Sequence, residues 1–129
     1  MSTVTMGQVV RKIQAILVAD STLQTALGGA GRIRHGYPNE FIDLPIVTHF
    51  ILNQANDEHG DNSILSDKIE VQIDSWTDGS TAVDIADNVD TVMVSKLWRR
   101  YYAADVFESD SKIKHWTARY ERSMTSLDI

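Results

Sequence analysis

Four histidines (His35, His49, His59 and His115) and one dense acidic cluster hold most of this sequence's capacity for chemistry. An imidazole beside a carboxylate can move protons near neutral pH. No Ser or Asp stands with any of the four at the spacing of a known nucleophile motif, so none is assigned a catalytic role. The acidic cluster is Asp57, Glu58, His59 and Asp61, within the polar stretch Gln54–Ser63, QANDEHGDNS. A metal site needs several oxygen or nitrogen ligands converging on one point, and this spacing matches neither a calcium loop nor an H-x-x-x-H helix. The cluster therefore reads as a solvated hairpin loop or as a loop that meets a partner. No metal and no cofactor are implied.

Asp74, Asp78 and Asp84 form a looser carboxylate series, and each has a plain structural place: the polar face of a strand, a turn, and the first turn of a helix. The run Gly28-Gly29-Ala30-Gly31 follows a helical pattern, whereas a phosphate cradle precedes one. The most distinctive run is Trp98-Arg99-Arg100-Tyr101-Tyr102. It could be a helix end whose Trp98 or Tyr102 closes the core while the arginines answer the helix dipole. It could anchor a protein interface, where Trp, Tyr and Arg are enriched. Interleaved aromatics and arginines could also stack on single-stranded nucleic acid. The formal net charge of −6 decides against the last reading. An acidic protein could line a channel through which DNA passes without holding on to it.

Composition bounds the scaffold that positions these residues. A chain of 129 residues is the size of one domain, with no interior linker or repeat to divide it. It has no Cys, so disulfides, thiol nucleophiles and Cys-based zinc sites are excluded. The hydrophobic content of 43% is enough for a packed core, and only 2 Pro and 7 Gly argue against disorder. No apolar run is long enough for a membrane span. Met1–Gly7 lacks the basic flank and apolar core of a signal peptide, which predicts synthesis in the cytosol.

Spacing predicts the elements in order. Thr5 with Gln8 makes a capping box ahead of Val9, Ile13, Ile16 and Leu17 at helical spacing. Ser21 with Gln24 repeats the box for a short helix over Thr22–Leu27, which Gly28 and Gly29 end. Arg32–His35 reads as a short extended segment and Gly36–Asp43 as a loop. Pro45 opens a strand over Ile46–Asn53, apolar on both faces and so central. After the polar loop, Lys68–Thr77 alternates, with Ile69, Val71 and Ile73 facing the core and Lys68, Glu70, Gln72 and Asp74 facing water. Ser80 or Thr81 caps the longest helix, Thr81–Arg100, whose charge order complements its dipole. Ala103–Ser111 reads as a loop and Lys112–Arg122 as a closing strand, with the tail Ser123–Ile129 frayed. The class is α+β: a small, mainly antiparallel β-sheet flanked by two main helices on one face.

Several of these pieces, in this order, resemble the tail-completion (tail-terminator) proteins of long-tailed phages and prophages. They are D-S-T-L-Q-T-A-L-G-G at 20–29, R-I at 32–33, L-P-I-V at 44–47, V-Q-I-D-S-W at 71–76, S-T-A-V-D-I-A at 80–86 and R-Y-E-R at 119–122. The resemblance spans nearly the whole chain; the polar insertion at 54–63 and the charged stretch at 105–115 depart from the pattern. It implies a virion structural protein with no enzymatic activity. Such proteins form a ring, commonly a hexamer, at the head-proximal end of the tail tube. There they stop tube polymerisation and meet the head's connector proteins. The implied partners are further copies of the chain, the tail-tube protein and a head-completion or connector protein, with no sequence-specific nucleic acid and no membrane. The implied place is the virion, and the bacterial cytoplasm during assembly. Within that reading, Asp57, Glu58, His59 and Asp61, and Trp98 to Tyr102, are the expected interface residues. The alternatives are a head-completion or neck connector and, in another class, a small ligand-binding or hydrolytic domain with convergent His and Asp in one deep pocket.

Overall fold

A computed structural model describes residues 4–36, 44–60, 63–79, 82–110 and 112–129, with the backbone alone at 58–60, 63–65 and 82. Helix α1 spans Met6–Val18 behind the expected capping box: Thr5 accepts from the Gln8 amide and the Gln8 side chain returns to Thr5. Helix α2 spans Ser21–Leu27. Its cap is Asp20, which accepts from the Leu23 amide, and not Ser21. The Gln24 side chain instead turns back to the Val18 carbonyl. Gly28 ends α2 at φ 89°, a left-handed geometry that glycine adopts without a Cβ clash.

Five strands follow: β1 (Ile33–His35), β2 (Ile46–Gly60), β3 (Ser63–Thr77), β4 (Arg99–Val106) and β5 (Lys114–Met124), with α3 (Ala82–Ser95) between β3 and β4. They form one sheet in the order β1-β2-β3-β5-β4, parallel only between β1 and β2. All three helices share one face of it, so the α+β class holds. Val9, Ile13, Leu17, Leu23 and Leu27 from α1 and α2, with Ile85, Val89 and Met93 from α3, bury against Val47, Ile69, Val71, Ile73 and Tyr120 of the sheet. Each such side chain contributes about 1.5–3 kcal/mol on burial.

Four expectations need correction. Most of the polar stretch 54–63 is strand and not loop: β2 continues to Gly60 and β3 begins at Ser63, in a long two-stranded arm, with 61–62 outside the described residues. The long helix stops at Ser95, well short of Arg100. A Schellman closure ends it, with the Trp98 amide bonded to the Met93 carbonyl and the Leu97 amide to that of Val94. The first part of the expected loop, Ala103–Val106, is the end of strand β4. Nor does the tail fray: Met124 is buried, and Thr125 caps a short 3-10 turn, Ser126–Asp128, tied to Arg122 at 3.1 Å. The expected cap of α3 at Ser80 or Thr81, and most of the expected loop 36–43, lie outside the described residues.

Candidate functional site

The face of the sheet away from the helices carries a continuous polar chain, built by strand alternation and cross-strand pairing. Tyr102 of β4 lies opposite Arg119 of β5, and the Arg119 guanidinium sits 4.9 Å from the centre of the Tyr102 ring. Arg119 Nε donates to Gln72 Oε1 on β3 at 3.1 Å, and Gln72 Nε2 donates to both Asp74 oxygens at 3.2 and 3.1 Å. One row away, Glu121 accepts from Arg99 and pairs with Lys68 at 3.4 Å. The Arg99 hydrogen bond, helped by the charges of Arg99 and Lys68, outweighs desolvation and lowers the Glu121 pKa. Tyr101 reaches Glu70, and its own burial followed by that carboxylate raises its pKa.

At one end of this face the chain of contacts goes under cover. Asp74 is 0% exposed, which corrects its expected place on a solvated strand face. His115 stands between two carboxylates, Nε2 at 3.0 Å from Asp74 and Nδ1 at 2.7 Å from Glu108. Only the imidazolium can donate from both nitrogens. Burial works against that charge and is the largest single influence. The hydrogen bonds to Asp74 and Glu108 and the charges of those carboxylates together outweigh it and raise the His115 pKa. Trp76 stacks on the imidazole at 3.6 Å and donates from Nε1 to Thr48 Oγ1 at 3.0 Å. In a nucleophile triad one imidazole nitrogen faces a hydroxyl or thiol. Here both face carboxylates, so the arrangement pins the segment carrying Glu108 to the sheet.

The helix-covered face holds the opposite kind of histidine. His49 Nε2 lies 2.7 Å from Gln14 Oε1 of α1, and Gln14 Nε2 donates to the Ile33 carbonyl at 2.9 Å. Burial, then the nearby His35, push its pKa down to about 4, so it is neutral at physiological pH. Tyr120, buried on the same face, donates to Asp90 of α3 at 3.0 Å, and its burial and that carboxylate raise its pKa.

The sequence-derived interface residues separate onto opposite sides of the sheet. Asp57 is exposed on the β2 arm and accepts from Ser123 Oγ at 2.6 Å. Glu58 and His59 lie in the same strand, and Asp61 lies outside the described residues. Trp98 is buried and closes the core beneath α3, as one reading of that run required. Arg99, Arg100, Tyr101 and Tyr102 are exposed on β4. The arginines answer carboxylates, not the dipole of α3: Arg99 bonds Glu121, and Arg100 lies 3.5 Å from Asp90.

Sequence reasoning missed the Asp74–His115–Glu108 bridge. Asp74 and His115 are 41 positions apart, and no spacing rule links them. A narrow cleft of about 70 Å³ between α3 and β4–β5 is lined by Ile73, Val83, Val89, Ala103 and Trp116, and contains no histidine. A shallower hollow borders Glu108, Phe107 and Ile113, without Asp74 or His115. Neither is the pocket of convergent His and Asp that a hydrolytic domain would need. The described geometry suits surface contact: a polar face, two strand edges and a narrow cleft whose lining also includes Asp87 and Arg100.

No protein-family model matches the chain. No curated protein matches it significantly in sequence. Among solved structures, a chain described as "Virion of native gene transfer agent (GTA) particle" has the same fold, with a TM-score of 0.69 at 15% identity. The match covers 88% of this chain and 92% of that one.

Proposed function

We propose that this chain is a structural component of a phage-like virion. Copies of it form a ring at the head-proximal end of the tail, where the ring ends tube growth and presents a surface to the head's connector proteins. The observation that carries this reading is the fold shared with a gene transfer agent virion chain over nearly the full length of both. The order of sequence motifs supports the finer placement at the tail terminus. The site chemistry agrees: buried His115 is saturated by two carboxylates, and the exposed polar groups form ladders that suit contact and not turnover. The net charge of −6 suits a ring that lets DNA pass.

The test is to add the purified protein to tail-tube subunits from the same particle as they polymerise, and to image tube length and tube ends. Tubes that stop short and carry a ring at one end are expected. Tubes of unchanged length, with the protein bound to head connectors instead, would move it to the neck. Binding to neither would end the reading.

A further inference from the structure

Asp57 and the run Arg99 to Tyr102 lie exposed on opposite sides of one sheet, and among the described residues both sides end in uncovered backbone. β4 is an edge strand along its 8 residues. On the other side, β1 covers only Val47, Thr48 and His49 of β2. Among the described residues no strand pairs with the outer side of β2 from Phe50 onward. Such edges template pairing with another chain unless bulges or charge select against it. Both carry bulges and charge: Arg99 and Arg100 open β4, with Asp105 near its other end, and Asp57 stands exposed on the arm. A ring of more than two copies needs a heterologous contact, and β4 set against the arm of the next copy provides one that brings Arg99 to Asp57.

Direction, length and facing all agree with that contact. β2–β3, β3–β5 and β5–β4 are each antiparallel, so β4 runs opposite to β2. A second copy set alongside with its strands in the same sense therefore offers β2 antiparallel to β4. Within one copy Arg99, Glu121, Glu70 and Asn53 share a cross-strand row. Sliding the second copy from Asn53 to Asp57, about four residues, sets Arg99 beside Asp57 and Val106 beside Phe50. β4 then fills the uncovered stretch of β2 and stops where the neighbour's β1 begins. Pairing puts Arg99, Tyr102, Ala104 and Val106 on the helix-free face of β4, and Phe50, Asn53 and Ala55 on that of β2. Asp57 joins them through its bond from Ser123. The bulge at Tyr101 of β4 and the one at Leu52 of β2 offset each other, and Asp57 stands at a second bulge of β2, so Arg99–Asp57, Tyr102–Ala55, Ala104–Asn53 and Val106–Phe50 all match in face. The slide is roughly 13 Å over four strands spaced ~4.8 Å. That corresponds to a tilt of roughly 35°, as closed sheets adopt.

We propose that copies of this chain join by antiparallel pairing of Arg99–Val106 with Phe50–Asp57 of the next copy, continuing the sheet from subunit to subunit. The proposal rests on the ring reading and names what each edge meets there.

Because the chain has no cysteine, an introduced pair has no background. Ala104→Cys with Asn53→Cys sits in one proposed row; Ala104→Cys with Asn56→Cys is off by three positions and on the other face. Mild oxidation should turn the first variant into a ladder of covalent multimers on a denaturing gel and leave the second largely monomeric. Separately, Arg99→Glu should weaken self-association about tenfold in sedimentation, and adding Asp57→Arg should restore it. Rings that form without the Ala104–Asn53 ladder, or that ignore Arg99→Glu, overturn this pairing and leave the ring reading intact. A protein that stays monomeric at every concentration and at tail-tube ends overturns both.

Discussion

His49 and His115 are both buried, on opposite faces of the same sheet, and the fold asks opposite things of them. Beneath α1, His49 is buried with an amide oxygen for a partner and His35 nearby, so it stays neutral. Across the sheet, His115 sits between Asp74 and Glu108, so its charged form is held. Burial alone therefore does not set protonation; the partners that alternation and strand pairing deliver do. The same contrast runs through the whole molecule. The helix-covered face derives its stability from apolar burial. The helix-free face carries exposed ion pairs of small energy and one buried charged bridge.

The contrast can be broken from its strong side first. Leu17→Ala, under α1, should cost about 2–5 kcal/mol in chemical denaturation. Next, Asp74→Ala should cost about 3 kcal/mol by stripping a partner from a buried charge, and should lower the His115 pKa seen by NMR titration. Since the folded His115 pKa lies above its unfolded value, its contribution is complete below the ordinary histidine range and is lost as pH rises through the raised value. His115→Gln should flatten that alkaline limb. His49 gives the opposite limb. Its folded pKa, about 4, lies below the ordinary 6.5, so its contribution is complete above 6.5 and lost as pH falls toward 4, by up to about 3 kcal/mol. His49→Gln should remove that acid sensitivity in a pH series of melting curves.

Smaller effects sharpen the picture. Leu97 holds φ at 72° where a helix closure favours glycine, and its side chain is 74% exposed. Leu97→Gly should therefore stabilise by about 1 kcal/mol in the same denaturation assay. Lys68→Ala, which removes one exposed arm of the Glu121 ladder, should change stability by less than about 1 kcal/mol. A loss as large as that at Leu17 would mean that the helix-free face stabilises the fold as much as the core does.

Legibility followed the range of the forces involved. Helix α1, its capping box and the left-handed stop at Gly28 are local, and the sequence predicts them to the residue. Strand β3 declared its core side by alternation. The β2–β3 arm did not, because Gln54–Gly60 has no apolar face and is held as strand by its pairing with β3. β4 stayed hidden for a related reason. Most of its residues are exposed, so no alternation marks it, and its strand state comes from β5. Of the expected interface, Asp57 and Arg99 to Tyr102 do stand exposed, and Trp98 does not.

By itself the sequence determined the α+β class, the start of α1, the stop of α2 and which residues of β3 enter the core, since spacing and capping act within a few positions. Tertiary structure alone decided that a polar stretch would be a strand, that Asp74 would meet His115, and that Asp57 and Arg99 would end up on opposite sides of one sheet. Those outcomes depend on contacts between residues tens of positions apart, whose geometry exists only once the strands have paired.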